Sequence, residues 1–541
     1  MTSTKVFATC LAFGLTAALP GCAWFKSLGS PSPTAAPTPA PEATPPSAPA
    51  KTHVEVELAD SPGVAFRLAF YTGSIDDPPG KEGLTALTAR LMAQGGTQGL
   101  TYPQLLAELY PMSARVEVSV DTEQTVFSGF VHRDHAEDFA RLLGSVICAP
   151  RLGLNDFQRI RSNLVDDIVK RLRANDDENL GKAMLQLMMY GPEHPYGHHV
   201  GGTVEGLESI TLKDVRAHAR RVFGRQRLVV GLAGRVDDAV RHAMKRGLDP
   251  LTDGEPRIAS IPEASPPARM KVLIADKPGK AVAISMGHPH QVTRSHPDFL
   301  PLALVQSYFG EHRQFHGVLM QQMRGIRGLN YGDYAYVENF IQESYGRLAR
   351  TNIARRRQHF EIWIRPVDPK DAVFSIRLAM YFLARLVDDG LEQRDVDAVA
   401  TFLGGYSRLW DLTPSRKLGH AIDDVFYGQQ GRLASFRTGV KDLKADVVNA
   451  AVRAHLNKRP LYVAIVAPDA AALRDALVSG APSAKTYEGK VDDAVLAEDE
   501  KVGVFDLGIR PEDVVVVPVE RLFNRKDRVE DLRTRTPDAR P

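Results

Sequence analysis

One pattern occurs twice in this chain, and it limits the possible fold more than any other feature. "LKDVRAHARRVFGRQRLVVGLAG", starting at Leu212, is an amphipathic helix, a basic break and an apolar strand. "LKADVVNAAVRAHLNKRPLYVAIVAP", starting at Leu443, keeps that order, and the two strands start at Leu228 and Leu461. A repeat this long argues for two homologous α+β halves, although unrelated helix–strand pairs can look alike in mixed folds. "HVEVELA", "VAFRLAFYTG", "ARVEVSV" and "TVFSGFV" read as strands by alternation and β-branched content. Helices dominate from Ala136 to about Arg221. A second unit opens with "MKVLIADKPGKAVAISMGHP" and ends in the apolar run "DVVVVPVERLF". The expected units are 53–250 and 269–525, with a Pro-, Gly- and Ser-rich linker at 251–268 and a charged tail at 526–541.

The start of the chain reads as a targeting segment. "MTSTK" is short and basic, and "VFATCLAFGLTAALPG" is apolar, so residues 1–21 are expected to be a signal peptide outside the fold. "LPGC" resembles a bacterial lipobox, with Pro20 an unusual choice in it. That resemblance implies cleavage before Cys22 and a lipid on it; an ordinary secretory signal with a chance Cys is the alternative. Residues 22–52 then form a tether, since "SPSPTAAPTPAPEATPPSAPA" favours extended polyproline-like conformations. Ala23 after the Cys leans, by lipoprotein sorting habits, to the outer membrane of a bacterial envelope with the folded part in the periplasm.

With 44% hydrophobic and 24% charged residues, the 541-residue chain can bury large cores. Its 67 basic residues against 65 acidic ones leave nothing that favours nucleic acid as a partner. Once Cys10 leaves with the signal and Cys22 is acylated, only Cys148 remains, so no intramolecular disulfide is expected. Its apolar neighbours in "LLGSVICAP" suggest a buried, inert thiol.

"GSIDDPPGKEGLTALTARLMAQGGT" is a turn-rich loop followed by an amphipathic helix. It resembles the pitrilysin/insulinase family of zinc peptidases, the inverzincins. Gly73, Ser74, Asp77, Gly80, Lys81 and Gly83 match the family's loop, and Gly96 and Thr97 match its Gly-Thr after one extra residue. "ADKPG", "SMGHP" and "LMQQMRGIRGLNYGDYAY" extend the resemblance through the second half. It implies a clam-shell of two related α+β domains, each a mostly antiparallel sheet packed with helices.

The family's helix carries His-x-x-Glu-His, two zinc ligands and a base that activates water. The matching residues are Ala86, Ala89 and Arg90. Alanine cannot ligate, and arginine keeps its charge and repels a cation. The family's third ligand is a Glu on a later helix, where this chain has Asp166 and Asp167 in "NLVDDIVKRL". No cofactor is expected, though family members with the intact motif hold zinc. His312 and His316, next to Glu311, have a spacing compatible with a metal on a helix. Two further patches are His194, His198 and His199, and His288, His290 and His296. All three read better as solvated or capping histidines than as ligands. The basic run Arg355 to Arg357 reads as a solvated turn or strand edge.

In the family an Arg and a Tyr of the second domain hold the substrate backbone. "RGIRGLNY" places Arg324 and Tyr331 at the family's spacing, with Arg327 at a neighbouring Arg position. The alternative is that this stretch only turns a helix into a strand and Tyr331 packs in the sheet. The resemblance therefore implies a non-catalytic subunit that binds peptide for a second chain carrying His-x-x-Glu-His. Two other readings are a peptide-binding or scaffold lipoprotein without such a partner, and a zinc metalloendopeptidase with an atypical metal site.

Lipidation is directly testable. One acyl chain, at ~0.8 kcal/mol per buried CH₂, binds membranes marginally, whereas several chains hold stably. The native protein should partition into membranes, and Cys22→Ala should release or misprocess it. A wholly soluble wild-type protein whose mature start is not Cys22 would refute the anchor.

Overall fold

The computed structural model describes residues 51–344, 346–456 and 460–526, together with Pro49, Lys458 and Val529. The signal peptide, Cys22, nearly all of the tether and most of the charged tail lie outside the described residues.

Among the described residues, eleven strands form two mixed sheets. They are β1 His53–Glu57, β2 Gly63–Phe70, β3 Glu117–Val120, β4 Thr125–His132, β5 Leu228–Gly234, β6 Lys271–Asp276, β7 Val282–His290, β8 Asp333–Tyr336, β9 Gln358–Val367, β10 Tyr462–Ala467 and β11 Val514–Pro518. The first sheet runs β1-β5-β2-β4-β3 and the second β11-β6-β10-β7-β9-β8. Without β11 the two orders correspond strand for strand, so the repeat read from the sequence is a repeat of topology. In each sheet the repeated strand, β5 or β10, runs parallel to one neighbour and antiparallel to the other. The rest of each ladder is antiparallel except β11 on β6.

The halves share their cores by exchanging a helix. Helix Asp177–Tyr190 belongs to the first half but packs on β7 and β10 of the second sheet. Its Leu180 and Met184 join Ala283, Ala464 and Val466 in one buried cluster. Helix Pro414–Phe426 crosses the other way onto β1, β2 and β5. Its Leu418, Ile422 and Phe426 pack with Ala65, Ala69 and Val229. The two helices carry a matching signature, "LGKAM" at Leu180 and "LGHAI" at Leu418. Close approach explains one glycine beneath them: a Cβ on Gly231 would lie 2.8 Å from Ile422 Cδ1 and 2.9 Å from Leu418 Cδ1.

Polar groups complete the join. The turn between β3 and β4, "DTEQ", buries Asp121, Thr122, Glu123 and Gln124. The long loop between β8 and β9 returns to it from the second half. Arg355 donates to both carboxylate oxygens of Asp121, at 2.7 and 3.1 Å, and Arg356 donates to Glu123 at 2.7 Å. Arg356 also holds the carbonyls of Ile258 and Ala259, and Arg357 that of Ile261, all in the linker. This corrects the expectation of a solvated basic run. Arg355 and Arg356 are 2% and 6% exposed, because each meets a buried carboxylate that the local sequence does not reveal.

Removing one partner of a buried ion pair leaves the other charge uncompensated and typically costs ~3–5 kcal/mol. Arg355→Ala and Asp121→Ala should each lower the urea midpoint sharply, and the double variant should cost less than the sum. Midpoints equal to wild type in both single variants would show that the pair does not join the halves.

Candidate functional site

Helix α1, Leu84–Gln94, is set by the loop before it. The Asp77 carboxylate accepts the backbone N–H groups of Gly83 and Thr85 and the Thr85 hydroxyl, each at 2.7 Å. It therefore satisfies donors of the first turn that the helix itself leaves unpaired, and it sits at the positive end of the helix dipole. Gly83 is in the left-handed region at φ 101°, where a Cβ would also meet Leu207 at 2.7 Å. His218 Nε2 lies 2.8 Å from the Thr85 hydroxyl, and Arg221 donates to its Nδ1. Burial pushes the His218 imidazole down to about 4, so the ring is neutral. Thus the loop residues shared with the family build a capped, fixed helix.

The positions that would carry ligands on that helix are closed to metal. Ala86 and Ala89 are 3% and 0% exposed and belong to the first core. Arg90 points to the following element instead. Its Nη1 donates to Asp167 Oδ2 at 2.8 Å, and Arg171 donates to the other oxygen of Asp167 at 3.3 Å. Asp167 begins a π-helical turn, Asp167–Arg173, of the kind that often marks functional sites. Asp166 faces outward and pairs with Lys170 on the surface. The structure therefore brings Arg90 and Asp167 together, keeps Ala86 and Ala89 in the core, and leaves Asp166 on the surface. Where a cation would meet the carboxylate, a guanidinium already does.

The last described stretch closes this neighbourhood. Arg173 Nη1 donates to the carbonyl of Leu522 at 3.3 Å and to Asn524 Oδ1 at 2.8 Å. The backbone N–H groups of Val204 and Glu205 donate to the carbonyls of Phe523 and Asn524. The Phe523 ring lies 5.7 Å from that of His199. Burial lowers His199 to about 4, helped by His198, Arg171 and Arg90 nearby and opposed by Asp167. The end of the second half thus covers the motif side of the first.

The histidine patches resolve into structural contacts. Residues 311–317 are turns rather than helix, so His312 and His316 do not share a helical face. His312 Nδ1 is bonded to the Tyr336 hydroxyl at 2.8 Å, and His316 Nε2 to the Ser307 carbonyl at 3.1 Å. Neither belongs to a three-ligand group among the described residues; the one such group is His296, Asp298 and His455. There Asp298 already accepts a hydrogen bond from His455 at 2.7 Å. His198 bonds to Asp77, and the Nδ1 atoms of His194 and His290 accept backbone N–H groups. His194, His198, His288, His290 and His312 are buried, whereas His316 is exposed and His296 is half-buried. Burial also pushes the Cys148 thiol up to about 11, which suits an inert side chain.

Arg324 and Tyr331 lie in the second half around another π-helical turn, Met320–Ile326. Tyr331 is 79% exposed and does not pack in the sheet. The Arg324 guanidinium stacks 5.0 Å from the ring of Phe315, itself 58% exposed. Arg327 is different: it is buried and donates to Asp499 and Glu498 at 2.7 and 2.8 Å. Of the three, it anchors the turn and the other two face outward. Sequence reasoning missed one group nearby. The Lys182 ammonium, on the exchanged helix, sits 3.4 Å from the Trp363 ring centroid and 5.2 Å from that of Tyr336. Burial lowers its pKa, opposed by Glu361 and Glu178. The alternation of Tyr334 and Tyr336 was the only local sign of that aromatic box.

Residues 55–193 match the profile of the insulinase family, peptidase family M16. They form an M16 domain. A curated relative, the non-peptidase homolog YmxG of Helicobacter pylori, is 21% identical over 432 residues, covering 77% of this chain and 94% of its own. The crystal structure of a peptidase M16 inactive domain from Pseudomonas fluorescens superposes with a TM-score of 0.68 at 21% identity, over 77% of this chain and 95% of that one. A protease structure from Helicobacter pylori gives a TM-score of 0.66 at 14% identity, over 77% and 97%. The chain is thus an M16 homologue whose α1 lacks the ligands of the family's zinc motif.

Proposed function

We propose that this chain is a non-catalytic peptidase-family subunit that grips peptides for a partner bearing His-x-x-Glu-His. The Arg90–Asp167 ion pair carries the reading: the carboxylate in the region of the family's third ligand is paired with the chain's own cation. The relative called a non-peptidase homolog and the structure described as an inactive domain support it. A lipid on Cys22 holds the protein to the envelope membrane, in our reading the outer one, and the tether lets the folded part stand off in the periplasm.

Arg324 and Tyr331 are the proposed grip. A guanidinium presents donors in a fixed fork and a phenol adds one more. Both suit a peptide carbonyl, or the oxyanion formed when a partner's zinc-bound water attacks it. The exposure of Tyr331 leaves its hydroxyl available for such a contact.

Removing a preorganised donor of this kind costs ~2.7–4 kcal/mol in known cases, or roughly 10²–10³ in rate. Arg324→Ala or Tyr331→Phe should lower the peptidase rate of the reconstituted pair by at least roughly tenfold. Circular dichroism and gel filtration should stay unchanged, because neither side chain supports the core. Full activity in both variants would remove the grip from the account.

A further inference from the structure

The second half holds a cavity that the peptide grip does not use. It opens under the loop after β8, between helices Phe299–Gly310, Gln393–Tyr406 and Pro414–Phe426. It offers about 100 Å³ to the centres of water-sized occupants. One water needs only ~10–15 Å³ by that measure, so the space suits a small organic group.

Five arginines line it, and they are not equivalent. Arg294 donates to Glu338 and Asp423, and Arg416 to Glu343. Arg432 lies 3.6 Å from Asp424. Those three belong to the wall. The guanidinium groups of Arg347 and Arg350 have no hydrogen-bond or ion-pair partner among the described residues. Two further donors of the wall, the Tyr406 hydroxyl and Arg432 Nε–H, are buried and donate no hydrogen bond there, although Gln314 approaches Tyr406 and Arg432 Nε lies 3.6 Å from Asp424. Buried donors are almost always satisfied in folded proteins, so unsatisfied ones converging on a cavity call for a ligand. One acceptor joins them. His420 Nε2 bonds to the Trp410 carbonyl at 3.1 Å, which leaves Nδ1 of the neutral ring unpartnered.

We propose that this cavity binds a small carboxylate, held by Arg347 and Arg350 with help from Tyr406 and Arg432. A fork of guanidinium donors matches the planar carboxylate. The free Nδ1 of His420 favours a ligand that also carries a hydroxyl or amide N–H beside its carboxylate. Glu311 lines the same space, but burial pushes it up to about 7, so its neutral form is well populated and repels little. With Glu311 and Glu338 in the wall, a phosphate dianion fits less well. The carboxylate can be that of a free organic acid or the C-terminus of a peptide.

Calorimetry on the full-length protein in detergent tests this with four probes: malate, inorganic phosphate, N-acetyl-tetraalanine with a free C-terminus, and its C-terminal amide. Malate or the free-acid peptide should bind, and whichever binds more tightly names the source. The amide and phosphate should bind at least roughly tenfold more weakly than the better carboxylate. Arg347→Ala combined with Arg350→Ala should weaken carboxylate binding by at least roughly tenfold. Both arginines lie on a surface loop, and circular dichroism confirms that the variant folds. Equal binding of acid and amide, tighter binding of phosphate, no carboxylate binding at millimolar concentration, or an unaffected double variant would each overturn the proposal.

Discussion

The buried pairing of Arg355 with Asp121 and Arg356 with Glu123 is what the rest of the architecture depends on. Taking four charges out of water carries a desolvation cost that mutual attraction offsets only in good geometry. Here each guanidinium meets its carboxylate at 2.7 Å. Since the acids lie in a turn of the first sheet and the arginines in a loop of the second half, that geometry exists only when the halves are in register. The network then reaches further: Tyr196 donates to Glu123, and Arg356 with its neighbour Arg357 clasps the linker backbone. The exchanged helices supply the apolar counterpart, each burying its face on the other half's sheet.

Much of the fold was legible before any coordinates. Strands β1 to β4 follow from local alternation and β-branched content, β5 and β10 from the apolar runs of the repeat, and that repeat at Leu212 and Leu443 announced two homologous α+β halves. What stayed hidden was long-range. Nothing near Arg355 in the chain tells that Asp121 waits for it, so a basic run looked solvated. The same holds for the exchanged helices, whose amphipathic pattern says that a face is buried but not against which sheet. His312 and His316 misled for the opposite reason. Their spacing fits a helix, but Gly310 ends the preceding helix before they begin. The site was legible only in part: Ala86, Ala89 and Arg90 could be read as a lost metal motif, whereas the partner of Arg90 could not.

That partner turns an absence into an arrangement. A missing ligand set alone would leave Asp167 as an uncompensated carboxylate beside α1. Instead Arg90 and Arg171 share it, His199 stays neutral beside them, and Phe523 covers that ring. The charge a metal would bring is supplied by side chains of the chain itself. On the other half Tyr331 remains exposed and Arg324 lies against an exposed ring, with Arg327 fixing the turn beneath them. One half has thus filled its motif helix with core alanines and an ion-paired arginine, and the other presents the two outward-facing groups of the proposed grip.

Metal content, measured on the full-length protein purified alone from its native host, tests this account most directly. The protein should carry well under one zinc per chain and cleave no peptide. Chelators should leave its melting temperature unchanged, since a metal bound to the native state would stabilise it by mass action. Stoichiometric zinc, lost to a chelator together with peptidase activity, would contradict the account.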